Sequence, residues 1–259
     1  MSVTVLVAII LLASVLGPPP SPGERRQDRS SPYTSDAQIT ARFCRRDFVP
    51  DGDLNKSAWK RAQWVEFAHD MSGRQSYPGA ATRVAVLWSG RYLYIGFSCQ
   101  YDHLNIYEGE DPAKERWELW NRDVAEVFIN AQPERVSHYY EFEVAPNNQW
   151  IDLEIDKTRV PFNDAGWNSG FTHATRIGRI GERGASGKPA SNIWTCEMRI
   201  PVAALGVTAM PPEHDWRINF FRADGSGGDA QRRFLAWSAI PEGNTFHVPT
   251  RFGRLHFGK

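Results

Sequence analysis

Alternating hydrophobic and polar residues recur along the chain between residues 82 and 257. A period of two is typical of short β-strands, in which successive side chains point to opposite faces. The pattern predicts strands at residues 82–88, 92–100, 124–130, 137–144, 149–153, 193–200, 216–223, 234–238 and 254–257. Helical periodicity is confined to fragments at residues 55–61, 113–119 and 202–205, so we expect little helix.

Short polar turns separate two pairs of these strands. Ser89-Gly90-Arg91 follows the first strand, and Pro146-Asn147-Asn148 follows the strand that ends at Val144. Turns this short join antiparallel neighbours, and the chain contains no strand–helix–strand repeat. We therefore predict an all-β fold, a sandwich of two packed antiparallel sheets of jelly-roll type with short helical turns.

The first 36 residues differ in composition from the rest of the chain. Residues 3–16 are almost entirely apolar, which is short for crossing a hydrocarbon core of about 30 Å but suits the centre of a signal peptide. We predict a signal peptide or N-terminal anchor at residues 1–17. Because no Lys or Arg precedes the apolar run, an uncleaved anchor remains the alternative to a cleaved signal peptide. Residues 18–36 are rich in Pro, Ser and Arg, which predicts a flexible linker. The folded domain should then span residues 37–259, in a secreted, periplasmic or cell-surface protein.

Charge and cysteine content narrow the possible partners. Thirty Lys and Arg residues balance thirty Asp and Glu residues, so the chain has no basic footprint for nucleic acid or anionic lipid. We expect no nucleic-acid partner and no membrane span beyond the possible N-terminal anchor. The three cysteines lack the spacing of zinc or redox motifs. Cys99 and Cys196 alternate in phase with apolar residues and are predicted to lie in the core.

Motifs of common hydrolases are absent, but two carboxylates stand close together. The sequence contains no Gly-x-Ser-x-Gly, no P-loop and no His-Glu-x-x-His. Glu141 and Glu143 share one face of a predicted strand, about 6.6 Å apart. The simplest interpretation is the solvated face of a half-buried strand. The alternative is a glycoside hydrolase that pairs one of them with Asp123 or Glu126.

Several motifs, in chain order, resemble the family 9 carbohydrate-binding modules and their family 9-like relatives. The resemblance covers most of residues 48–258. Its motifs are Asp51-Gly52-Asp53 with Trp59, the hairpin at 85–95, the segment from Trp120 to Ile129, Tyr139-Tyr140-Glu141-Phe142-Glu143-Val144, the segments at 194–205 and 218–222, and Ala236-Trp237-Ser238. It implies a β-sandwich that binds sugars without catalysis, in many members attached to secreted xylanases and other polysaccharide-degrading enzymes.

The resemblance also implies a binding site in which two Trp side chains grip the sugar. Trp120 and Trp237 match those positions, and we expect them to approach each other across one pocket mouth. Glu126 matches a carboxylate that contacts the ligand. Glu143 stands where the xylanase-linked members carry Arg, which leaves the particular sugar open. A flat ring covers the apolar face of a pyranose, while charged groups address its rim of hydroxyls.

Two further residues are candidates on their own chemistry. Trp117 lies with Trp120 in a strongly charged stretch, where a large apolar ring is costly to leave without a partner or ligand. Arg222 lies on a predicted strand as a potential polar contact. The predicted ligand-binding residues are therefore Trp120, Trp237, Glu126, Glu143, Arg222 and Trp117.

No cofactor is expected, although the resemblance admits structural calcium. Asp51 and Asp53 are the oxygen cluster available for it, and an ordinary turn is the alternative. A haem-binding relative of the same sandwich superfamily is a third alternative, but Met71 and Met198 have no evident facing His. The sequence favours a monomer that binds a saccharide or polysaccharide chain and serves polysaccharide breakdown.

Overall fold

The computed structural model describes residues 31–109, 111–178, 192–226 and 228–259. Regular structure in these ranges consists of β-strands and single 3₁₀ turns, which confirms the all-β prediction. The strands are β1 (Gln38–Phe43), β2 (Trp64–Phe67), β3 (Thr82–Trp88), β4 (Tyr92–Gln100), β5 (Val124–Asn130), β6 (His138–Val144), β7 (Trp150–Asp156), β8 (Asn163–Asp164), β9 (Thr172–Ile177), β10 (Ile193–Pro201), β11 (Trp216–Asp224), β12 (Arg233–Ala236) and β13 (Gly253–Gly258). The 3₁₀ turns are Trp59–Arg61, Pro78–Ala80, Leu119–Asn121, Val202–Leu205, Asp229–Gln231 and Pro249–Arg251.

The strands form one strongly curled sheet in the order β8-β7-β6-β5-β11-β13-β1-β3-β4-β10-β9, with β12 beside β11 and β2 beside β3. Both predicted hairpins, β3–β4 and β6–β7, pair antiparallel. Among the described strands, the parallel pairs are β1 with β13 and β1 with β3. The two layers of the sandwich are thus continuous through β1, and the sheet is mixed.

An apolar core separates the two layers. The front layer contains β5 to β8 and β11 to β13, and the back layer contains β2 to β4 with β9 and β10. Phe220 of the front layer meets Phe97 of the back layer edge to face, with ring centroids 6.0 Å apart. Cys99 and Cys196 lie in this core as predicted, and both are free thiols. We call the sides that face this core the inner faces, and the opposite sides the outer faces.

The outer face of the front layer is buried as well. A second apolar cluster there includes Phe128, Tyr139 and Phe221, and Phe246 and Phe252 from the segment before β13 pack onto it. Every residue of β5 and β6 is consequently buried. A side chain that points away from the inner core on these strands is therefore not solvated.

A compact unit spans Pro32–Lys259. Polar groups at its start find partners further along the chain: the Tyr33 hydroxyl donates to the Pro133 carbonyl at 3.0 Å, and the Ser35 and Ser238 hydroxyls lie 2.5 Å apart. The predicted signal or anchor at residues 1–17, and most of the predicted linker, lie outside the described residues. Among the residues that are described, no helix has the length and apolar character to cross a membrane.

A close contact at Gly253 yields a stability prediction. A Cβ added to Gly253 would lie 2.5 Å from Trp237 Cζ3 and 2.7 Å from the Ala37 carbonyl oxygen. Because rigid groups would have to move, we expect Gly253→Ala to lower the free energy of unfolding by about 1 to 3 kcal/mol in chemical denaturation. Gly90→Ala is the matched control, since a Cβ there meets nothing within 4 Å. Equal stability of the two variants would contradict this packing.

Candidate functional site

A pocket of about 380 Å³ opens on the outer face of the front layer. Its volume lies within the range of about 300 to 1,000 Å³ that is usual for small-molecule sites. Aromatic rings and carboxyl groups dominate its lining. The lining residues are Met71, Trp120, Glu126, Glu141, Glu143, Leu153, Phe162, Asn163, Phe234, Asn244, Thr245, Phe246 and His247.

Three glutamates converge in this pocket, and we call them the carboxyl cluster: Glu126, Glu141 and Glu143. Glu126 of β5 lies opposite Glu143 of β6, and Glu141 precedes Glu143 by two residues on the same face. One carboxyl oxygen from each lies within 4.8 Å of the others, close enough for the three to share one bound cation. None is more than 3% exposed. The prediction that Glu141 and Glu143 face solvent is therefore wrong, because the outer face of β6 is covered.

The carboxyl cluster is poorly compensated by its surroundings. Apart from each other, Glu126 and Glu143 have apolar cross-strand neighbours: Phe221 lies opposite Glu126, and Ile151 lies opposite Glu143. Both oxygens of Glu143, and one oxygen each of Glu126 and Glu141, have no hydrogen-bond partner. A buried carboxylate without partners is costly, so these groups either keep a proton or receive a ligand.

Burial raises the pKa of all three carboxyl groups. The pKa of Glu141 rises to about 7. For Glu126 and Glu143, burial followed by repulsion from the neighbouring glutamates raises the pKa well above its ordinary value.

His247 does not offset the charge of the cluster. Its Nε2 lies 4.0 Å from Glu141 Oε2, while Nδ1 shares a hydrogen bond of 2.9 Å with the Tyr139 hydroxyl. Burial lowers the pKa of His247 to about 4, so the ring is neutral near pH 7.

These pKa shifts predict a pH-dependent stability. A carboxyl group whose pKa is higher in the folded than in the unfolded chain favours folding at low pH, and this contribution is lost as the pH rises. For Glu141 the loss runs from about pH 4.3, the unfolded value, to about pH 7. Gln at position 143 cannot ionise, so we expect the melting temperature of Glu143→Gln, relative to the parent, to increase from about pH 5 to about pH 8.

Thermal melts followed by circular dichroism measure this difference. Glu242→Gln is the matched control, because Glu242 lies on the neighbouring loop with its side chain 71% exposed. A difference between parent and Glu143→Gln that stays constant with pH would contradict the burial of an ionisable cluster.

The Trp120 ring forms one wall of the pocket. The 3₁₀ turn Leu119–Asn121 presents it, anchored by the fully buried Leu119. Trp117 meets Trp120 edge to face, with ring centroids 5.1 Å apart. Trp117 itself is 47% exposed and is not among the lining residues, so the structure places it as a support for Trp120 at the pocket rim.

The structure does not bring Trp237 to this pocket. Trp237 packs on Phe220 at 5.3 Å and belongs to the inner core, whereas Phe234 belongs to the outer cluster and lines the pocket. The expectation that Trp120 and Trp237 approach each other is therefore corrected. Alternation along β12 and its continuation puts residues 235 and 237 on the inner face and residue 234 on the outer face. The second aromatic wall comes instead from Phe234 and Phe246.

Arg222 also lies on the inner face and does not reach the pocket. Its fully buried guanidinium binds Asp123 at 3.1 Å and Asp224 at 3.3 Å, and it donates to the Gln100 carbonyl at 3.0 Å. Arg222 therefore belongs to a buried ion network, and its predicted ligand contact stays a prediction that this geometry does not favour. Because Asp123 binds Arg222 on the inner face, it does not lie beside Glu141 or Glu143, as the glycoside hydrolase alternative would require. The carboxyl cluster occupies one side of the pocket, whereas a hydrolase places its two carboxyl groups on either side of the scissile bond.

Asp51 and Asp53 form a turn that is held by basic side chains. Lys56 binds Asp51, and Arg176 binds Asp51 at 3.4 Å and Asp53 at 3.3 Å. Gly52 between them has a left-handed φ of 79°. These contacts match the ordinary turn. They do not favour calcium, so a calcium site at this position stays a prediction.

Sequence reasoning missed the residues that close the pocket from loops. Phe162, Asn163 and the run from Asn244 to His247 lie between strands or on the very short β8, outside the alternating segments. The sequence feature that could have identified this loop is Phe246, an isolated aromatic residue among polar ones. In the structure Phe246 stacks on Phe221 with ring centroids 4.1 Å apart. Met71 and His247 also share this pocket, but a layer of buried carboxyl groups is poorly suited to a haem, which carries carboxylates of its own.

Comparison with known proteins places the chain in a family. Residues 50–259 match the family described as carbohydrate family 9 binding domain-like. Over 204 residues, covering 74% of this chain and 85% of the relative, the sequence is 27% identical to an extracellular protein of Arthroderma benhamiae.

Solved structures share the fold at low sequence identity. A proposed carbohydrate-binding protein from Bacteroides uniformis is 18% identical, with a TM-score of 0.63 over 86% of this chain and all of that one. A family 9 module from Caldicellulosiruptor kristjanssonii is 15% identical with a TM-score of 0.60, solved with cellotriose and with glucose. Each covers 86% of this chain, and the present chain spans 94% and 97% of the two. Because the family match extends from residue 50 to residue 259, this chain belongs to the carbohydrate family 9 binding domain-like family.

Proposed function

We propose that the chain is a non-catalytic carbohydrate-binding protein whose pocket holds one sugar unit. The observation that carries the proposal is the convergence of the Trp120 ring and the carboxyl cluster on one pocket of about 380 Å³. The ring covers the apolar face of a pyranose, and the carboxyl groups address its hydroxyls. A protonated carboxyl donates one hydrogen bond and an ionised one only accepts, so the cluster can serve both kinds of hydroxyl contact.

A hexose unit is the proposed ligand class. The family 9 module from Caldicellulosiruptor kristjanssonii was solved with glucose and cellotriose, and it supplies the precedent for this chain. The pocket is closed on several sides by loops, which favours a single unit or the end of a saccharide chain over the middle of one. We further propose that the protein acts outside the cytoplasm as a monomer and serves polysaccharide breakdown. The extracellular relative and the apolar run near the start of the chain support this location.

A glycan array with the purified full-length chain tests the proposal, followed by calorimetry with glucose and cellotriose. We expect saturable binding of one sugar per chain and no release of product from a labelled oligosaccharide. Hydrolysis that is lost in Glu143→Gln would show an enzyme instead. A Soret band after haem addition, with no sugar bound, would favour the haem-binding alternative.

A further inference from the structure

Two buried carboxylates outside the pocket are each paired with basic side chains. Glu197, which is fully buried, accepts hydrogen bonds from Lys56 Nζ at 2.6 Å and Trp59 Nε1 at 2.7 Å. Asp224 is likewise paired with Arg222 and Arg233. Each of these carboxylates has a basic side chain of its own.

The carboxyl cluster has no such partner among the described residues. The described side chains that line the pocket include no Lys and no Arg. Lys157, near the pocket, donates to the backbone oxygen of His247 at 2.8 Å rather than to a glutamate. Four carboxyl oxygens of the cluster are buried without a hydrogen-bond partner. The raised pKa values described above have this same cause, since no positive charge offsets the burial.

The spacing of the cluster suits one ammonium group. An ammonium donates three hydrogen bonds in tetrahedral directions, each about 2.8 Å long to a carboxylate. Three such acceptors lie about 4.6 Å from one another, and one oxygen from each glutamate lies within 4.8 Å of the others.

A bare divalent cation fits the surroundings less well. Calcium takes six to eight oxygen ligands, usually including carbonyl groups and water. The cluster is instead flanked by Phe221, Ile151 and Leu153, and a cavity of about 380 Å³ exceeds the needs of a single ion. Phe234, Phe246 and Trp120 line the remaining space with flat rings, which suit an organic ligand.

We propose that the pocket selects sugars with a free amino group, 2-amino-2-deoxyhexoses and their polymers, by binding the ammonium group in the carboxyl cluster with the pyranose ring against Trp120. This inference rests on the proposed function and names its ligand class. N-acetylation removes the positive charge, so the acetylated sugar loses the selected contact.

Calorimetry near neutral pH, with a chelator present, tests the inference with three probes: D-glucosamine, N-acetyl-D-glucosamine and D-glucose. We expect D-glucosamine to bind about tenfold or more tighter than D-glucose, and the N-acetyl sugar to bind no tighter than D-glucose. Glu143→Gln should bring the ratio of D-glucosamine affinity to D-glucose affinity close to one, because it removes one of the three carboxylates that hold the ammonium group. Glu242→Gln, the exposed control, should keep the full preference.

The outcomes separate this inference from the proposed function. Equal affinity for D-glucosamine and D-glucose would overturn the amine selectivity and leave sugar binding standing. Failure of all three probes and of cellotriose would overturn both. D-glucosamine binding that requires added calcium would show a metal site and overturn the ammonium contact. A thermal melt checks that the Glu143→Gln variant is folded. If it is not, the calorimetry is repeated with the Glu126→Gln variant in its place.

Discussion

Trp120→Ala is expected to weaken sugar binding by roughly 5- to 150-fold, which corresponds to the loss of about 1 to 3 kcal/mol from one stacking surface. The Trp120 ring is half-buried and lines the pocket, and Trp117 supports its edge. Alanine removes the flat surface but leaves the carboxyl cluster, so binding should weaken without disappearing. Calorimetry with the tightest sugar from the array measures the change.

Trp64→Ala is the matched control for this prediction. Trp64 is also half-buried, but it lies on the outer face of the back layer, where it contacts Trp59 with centroids 5.9 Å apart. We expect its replacement to leave sugar affinity unchanged. Full affinity in a folded Trp120→Ala variant would show that this ring only packs at the rim and that the sugar binds elsewhere.

Arg222→Met is expected to lower the free energy of unfolding by about 3 to 5 kcal/mol, because it leaves buried carboxylates without their partner. Asp123 loses its only ion pair among the described residues, while Asp224 retains Arg233. Chemical denaturation measures the loss. Sugar affinity of the folded protein should not change, since Arg222 lies on the inner face and the pocket opens on the outer face.

Arg91→Met provides the comparison for a surface ion pair. Arg91 binds Asp47 at 2.7 Å with its side chain 75% exposed, and such pairs contribute at most about 1 kcal/mol. A loss for Arg222→Met no larger than that for Arg91→Met would contradict the buried network. Weaker sugar binding at full stability would instead restore Arg222 as a ligand contact.

The alternation of hydrophobic and polar residues was enough to predict most of the strands, because it reflects the different surroundings of the two faces of a strand. All nine predicted strands are present, and the two short turns join antiparallel pairs as expected. The strands β1, β2, β8 and β9 were missed. β1 gains its regular structure from parallel pairing with β13, whose Arg254 lies opposite Gln38, a contact that no local pattern reveals. β9 is an edge strand that is half exposed and rich in polar residues.

The sequence by itself determined the all-β class, most strand positions, the family resemblance and the candidacy of Trp120, Glu126 and Glu143, because these depend on residue type and local spacing. Only the tertiary structure decided which face of each strand is inner, and so that Trp237 and Arg222 point away from the pocket. It also decided that Glu141 and Glu143 are buried. Alternation distinguishes two faces but not what covers them, and here the cover is a loop from about one hundred residues further along the chain.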